Sequence, residues 1–300
     1  MIDATKAYQF YILTEERVTS QAQSKGISDL NKYYSLTDFY GNSVFNTLRD
    51  KAQVFAQIAF HAQNATLISN IVRFEKNYSF LKSTLCDFNP EAFLLKYSDP
   101  DRENSVNQIV EDLRYDGTNN PNGLHWNTGK SKQENKDTIV KRYANMLLDA
   151  AIFLEKFNNR NEFLNDLKNH YPNKNHETLI KYFRENISHG FSIALTCDFL
   201  KELDSFFSDL PKPDVHIKDI LIALFGYEDN HYNTEKKEYQ CIKDLQKITS
   251  LINQKLTCES QPLITVYQLD RMIWLACTDN FFLDFTENTK DIYLQNIINL

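Results

Sequence analysis

Two short segments hold the residues that could do chemistry. In LPKPDVHIKDIL (210–221), Asp214 follows a proline at a helix start, with His216, Ile217 and Lys218 just beyond it. A carboxylate placed there can stabilise a developing cation and can orient or deprotonate a water molecule. In ISHGFSIALTCDFL (187–200), Gly190, Phe191 and Ser192 stand between two helical patterns. A turn this tight needs a residue that accepts positive φ, and the helix that follows leaves its first N–H groups unpaired and able to hold an anion such as a phosphate. Each segment also has a plain alternative. Asp after Pro at a helix start is an ordinary N-cap, and a glycine between two helices can close a simple αα-hairpin. His216 cannot share a helix face with Asp214 and reads as a helix-start side chain bonding locally. Lys201, Lys212 and Lys218 flank the carboxylate and either serve an anion or form a solvated face.

Helices must position these residues. HETLIKYFREN (176–186) leads into the glycine turn, a second helix starts near Ile193, and VHIKDILIALFG follows the LPKPD turn. VYQLDRMIWLACT (266–278) is the last clear helix. Upstream, 44–73 carries Val44, Leu48, Ala52, Phe55 and Ala59 at helical spacing. A further segment turns at Asn89–Pro90 and ends near Pro100, and 138–157 is amphipathic. The stretch DGTNNPNGLHWNTGKSKQENKD (116–137) shows no periodicity and reads as a long exposed loop. It contains Trp126, which can stack on or wedge against a base or else anchor the loop. Lys130, Lys132, Lys136, Lys141 and Arg142 lie in or beside it and outnumber Glu134 and Asp137.

The chain has 300 residues, 21 Phe, 16 Tyr and only seven Gly. That is enough to bury a large core and too little glycine for many β-turns, so an all-α fold is expected. A net charge of −7 argues against bulk electrostatic binding of nucleic acid and leaves local basic patches possible. The five cysteines have no metal-like or CxxC spacing and read as reduced thiols, with no metal and no cofactor implied. The first residues do not read as a signal peptide, and no apolar run approaches 18 residues. A cytoplasmic monomer is expected, nucleoid-associated if bacterial.

Taken together, Gly190–Phe191–Ser192 and Asp214–x–His216–Ile217–Lys218 resemble the helix-hairpin-helix DNA glycosylases of the endonuclease III-like superfamily. The likeness spans residues 176–219 and, through the Asp270–Arg271–x–x–Trp274 helix, 266–283. Residues 1–100 carry none of it. The family hairpin usually reads Gly–apolar–Gly, and here Ser192 takes the second place. The resemblance implies two helical subdomains flanking a cleft, one of residues 101–209 and the other of 1–100 with 210–300. It implies duplex DNA with a modified base as partner, Asp214 as catalytic carboxylate, and DNA contacts from His189, Gly190, Phe191, Ser192, Ala194, Lys201 and Lys218. Bifunctional members carry a nucleophilic lysine where this chain has Ala194, so strand cleavage is not expected. Lys201, seven residues on and about 10 Å along the helix, is the first substitute to consider. Two alternatives stay open: a hairpin protein that binds DNA without chemistry, and a helical interaction protein without nucleic acid.

Overall fold

A computed structural model describes residues 2–34, 44–64, 69–114, 122–125, 130–281 and 290–300. Among these the chain is all-α, with thirteen helices of seven residues or more and a single isolated bridge between Arg114 and Leu124. They are α1 (Ala4–Ser24), α2 (Asp50–Ala62), α3 (Tyr78–Thr84), α4 (Pro90–Lys96), α5 (Arg102–Leu113), α6 (Lys130–Glu155), α7 (Arg160–Asn169), α8 (His176–Asn186), α9 (Ile193–Leu203), α10 (Val215–Phe225), α11 (Glu235–Cys258), α12 (Val266–Thr278) and α13 (Lys290–Ile298).

Asparagine and aspartate do much of the work that glycine does elsewhere. Asp3, Asn89, Asp101, Asn159, Asn175 and Asp214 cap helix N-termini with their side-chain oxygens. Asp87, Asn173, Asn230 and Asp279 occupy positive φ between 51° and 67°, a region these short polar side chains tolerate better than most. Arg73, Cys86, Phe88, Lys174 and Ser260 share the positive-φ positions with them.

The chain divides into two compact units. The second unit, residues 42–199, is built around α6, which packs against α2, α4, α5 and α8. Phenylalanine fills its core. The Phe153 ring meets Phe157, Phe163, Tyr182 and Phe183 within 6.3 Å, and the buried Tyr143 donates to Ala59 O at 3.0 Å. The first unit joins residues 1–41 to 200–300. There α1 packs on α11 and α12, and α10 packs on α11, α12 and α13, around Phe10, Val18, Ile220, Leu245, Ile252, Ile273 and Tyr293.

Three expectations are corrected. The expected boundaries at residues 101 and 209 are displaced to 42 and 199: 42–100 belong with 101–199, where α2 and α4 pack on α6, and 200–209 belong with 210–300. The stripe over 44–73 is a single α-helix only from Asp50 to Ala62, preceded by a 3₁₀ turn at Val44–Thr47. The expected loop 116–137 is helical from Lys130 onward, where Lys, Gln and Glu are good helix formers despite the lack of an apolar stripe. The helix α11 carries Ile242, Leu245, Ile248, Ile252 and Leu256 on one buried stripe.

Candidate functional site

The hairpin belongs to the second unit. α8 closes with the Ile187 N–H on Phe183 O, and α9 begins at Ile193. Gly190 between them has φ +79°, and a Cβ there would stand 3.2 Å from both Cβ and Cγ of Met146. Both the dihedral and the close approach of α6 therefore require glycine. Ser192 has no positive φ and serves as the cap of α9. Its Oγ accepts the Leu195 N–H at 3.2 Å and its carbonyl accepts the Thr196 N–H at 2.9 Å. A second glycine has no conformational task at that place. Among the described residues, no acceptor meets the N–H groups of Gly190, Phe191, Ser192, Ile193 and Ala194. The Phe191 side chain is buried against Phe183 and Phe199, so the expectation that it touches DNA is narrowed to its main chain.

A carboxylate from α6 grips the turn from behind. Asp149, 9 % exposed, accepts at Oδ2 from the Ser188 N–H at 3.1 Å and the Ser188 hydroxyl at 2.9 Å, and it pairs there with His189 Nδ1 at 2.9 Å. Its Oδ1 takes Arg102 Nη2 at 2.6 Å. Ser, His and Asp thus meet, but the serine hydroxyl also sits on Nδ1, 2.9 Å away. Nucleophilic activation needs the hydroxyl on one ring nitrogen and the carboxylate on the other. The cluster fixes the hairpin and cannot run that chemistry.

Asp214 belongs to the first unit, in a segment tethered at several points. Ser208 O accepts the Tyr267 N–H at 3.1 Å, Asp209 O accepts Gln246 Nε2 at 2.8 Å, and Leu210 is fully buried. The Asp214 N–H then folds back to Lys212 O at 2.7 Å across Pro213, an inverse γ-type turn that a proline's fixed φ suits. Asp214 Oδ1 caps α10, accepting from the N–H groups of His216 at 2.9 Å and Ile217 at 3.1 Å. Its Oδ2 has no hydrogen-bond partner among the described residues. His216 is half-buried with Nδ1 unpartnered among the described residues. Burial holds its pKa below the usual 6.5, against the opposing pull of the Asp214 charge, while Lys290 adds to the lowering.

The two lysines expected at DNA are engaged elsewhere. Lys201 is 2 % exposed and pairs with the buried Asp270 at 2.7 Å. Burial raises the Asp270 pKa, and Lys201 pulls against it. A cation enclosed in this way cannot reach a phosphate or attack a sugar, so Lys201 is withdrawn as DNA ligand and as substitute nucleophile. Lys218 pairs with Glu238 and is withdrawn as a free cation. Ala194 is half-exposed at the start of α9. Lys141 pairs with Glu103 at 2.8 Å. Trp126 lies outside the described residues, as do the side chains of Lys130, Lys132 and Lys136. No group of three or more metal-ligating side chains occurs among the described residues, none of the five cysteines is joined in a disulfide, and none of the described helices is long and apolar enough to cross a membrane. Sequence reasoning missed Asp149 and the role of Asp270. Both act on backbone N–H groups distant in sequence, and the one visible signal was an acidic residue on an apolar helix face.

No known protein family, curated protein or solved structure matches the chain.

Proposed function

We propose that the chain excises a modified base from duplex DNA by hydrolysing the N-glycosidic bond, leaving the strand intact. The observation that carries this reading is Asp214. One carboxylate oxygen is fixed by two backbone N–H groups, the other carries no partner among the described residues, and the supporting segment is tethered on both sides. The run of N–H groups at Gly190–Ala194 supports it as a seat for a backbone phosphate. In the reaction the target nucleotide leaves the stack at a cost of a few kcal/mol. The C1′–N bond breaks, and the base departs with the electron pair. Asp214 stabilises the cationic sugar, water adds at C1′ and passes a proton to Asp214, and a proton in turn goes to the departed base, leaving a C1′ hydroxyl and the neutral base. Alanine at 194 and the enclosed Lys201 leave neither position a free amine for imine formation.

A second reading, a hairpin protein that grips DNA without chemistry, is favoured by the cap that Asp214 makes on α10. Incubation with duplexes bearing oxidised, alkylated or hypermodified bases, followed by alkali, separates the two. The proposal expects abasic sites, no adduct trapped by borohydride, and loss of excision with retained DNA binding in Asp214→Asn. Salt-sensitive binding with no base released from any duplex would establish the second reading. Absence of both would leave an interaction protein.

A further inference from the structure

The pair that removes Lys201 from the DNA surface acts on the candidate carboxylate instead. Asp270 Oδ2 accepts from Lys201 Nζ at 2.7 Å and from the Lys212 backbone N–H at 3.0 Å. The carbonyl of that same Lys212 accepts the Asp214 N–H at 2.7 Å. Two hydrogen bonds therefore run from Asp270 through one residue to the backbone of Asp214. Lys201 Nζ also stands 5.6 Å from the Tyr267 ring centroid, and the Tyr267 N–H holds Ser208 O at the other end of the segment. Pro211 and Pro213 are buried on either side of Lys212.

We propose that Lys201 and Asp270 are positioning residues that set the place of Asp214 through the Lys212 peptide, a role that rests on the catalytic reading of Asp214. A buried ion pair is weak evidence of net stabilisation, since desolvation offsets most of the attraction and an apolar pair of similar size often serves as well. What an apolar pair could not supply here is an acceptor for the Lys212 N–H. The ammonium favours the charged form of Asp270 and aims it, and the carboxylate holds the backbone N–H two residues before Asp214.

Two charge-neutral double variants separate positioning from stability. In K201M/D270N the amide oxygen still accepts the Lys212 N–H; in K201M/D270L nothing does. The expected result is single-turnover excision within a few-fold of wild type in the first, and a loss of about a hundredfold in the second, the size that a ~1 Å misplacement produces. The dissociation constant for DNA should be unchanged in both. Equal excision by the two folded variants overturns the proposal. A second readout needs no activity, namely hydrogen exchange at the Lys212 amide. Protection in wild type and K201M/D270N with fast exchange in K201M/D270L supports the clamp even if no duplex is a substrate, in which case only the glycosylase reading fails. Fast exchange of the Lys212 amide in wild type overturns the clamp whatever the enzyme does, and this measurement stands if either variant fails to fold.

Discussion

Asp214 caps α10 with one oxygen and leaves the other without a partner among the described residues, which separates its two tasks experimentally. Asparagine is as good an N-cap as aspartate, so Asp214→Asn removes charge and leaves the helix start in place. His216 reports on that charge. Burial depresses its pKa and the Asp214 carboxylate partly offsets the depression. In Asp214→Asn the His216 titration, followed by NMR, should therefore move further down; an unchanged or higher value would show that the carboxylate does not face the ring. The sign also fixes a pH window. The folded value lies below the unfolded one of about 6.5. The contribution of the neutral ring is therefore complete above that pH and is lost as pH falls toward the folded value. The cap at Asp214 was legible from Pro213 and the apolar run after it. The engagement of Lys201 was not, because its partner lies 69 residues away and one-dimensional spacing carries no information about it.

The hairpin of α8 and α9 works as an element because three constraints meet in five residues: a positive φ at Gly190, a capping hydroxyl at Ser192, and the Asp149 carboxylate beneath Ser188 and His189. The first was readable from residue type, whereas Ser192 was read only as a departure from the second glycine and its capping role came from the structure. The third was not readable, since Asp149 sits in the middle of an amphipathic helix 40 residues upstream and only packing brings it there. Each constraint predicts a different response. Gly190→Ala should destabilise the protein by about 1–3 kcal/mol, from left-handed strain and the approach to Met146. Ser192→Gly should cost only a few tenths of a kcal/mol while Ser192→Ala costs about 1. Thermal unfolding measures all three. If Gly190→Ala were as stable as wild type, the turn would tolerate a side chain, and the reason offered for this glycine would be wrong. Ser192→Gly also creates the Gly–apolar–Gly pattern that the hairpin resembles and, under the proposed function, should keep DNA binding, because the main-chain N–H groups are unaltered.

At the scale of the whole molecule, the net charge of −7 and the proposed partner pull in opposite directions. The helical class was legible in the composition, but the distribution of charge was not. Ion pairs between residues far apart decide it: Lys201 with Asp270, Lys218 with Glu238, Lys141 with Glu103, and Arg102 with Asp149. Three lysines that the sequence credits to a DNA surface, Lys201, Lys218 and Lys141, are thus committed to internal or neighbouring carboxylates. Binding that relies on main-chain N–H groups releases few counterions, because those groups carry no net charge. The logarithm of affinity falls with the logarithm of salt at about −0.9 per neutralised phosphate. If about three phosphates are neutralised by side chains, the slope is about −2.7, and affinity falls only about fortyfold between 50 and 200 mM salt. A binder with six to ten such contacts loses about a thousandfold to a hundred-thousandfold over the same range. Fluorescence anisotropy with a labelled duplex measures the slope directly. A shallow slope together with loss of binding in Gly190→Val would assign the grip to the hairpin main chain. A slope of about −6 or steeper would assign it to side-chain cations, with Lys130, Lys132, Lys136 and Arg142 the first to replace.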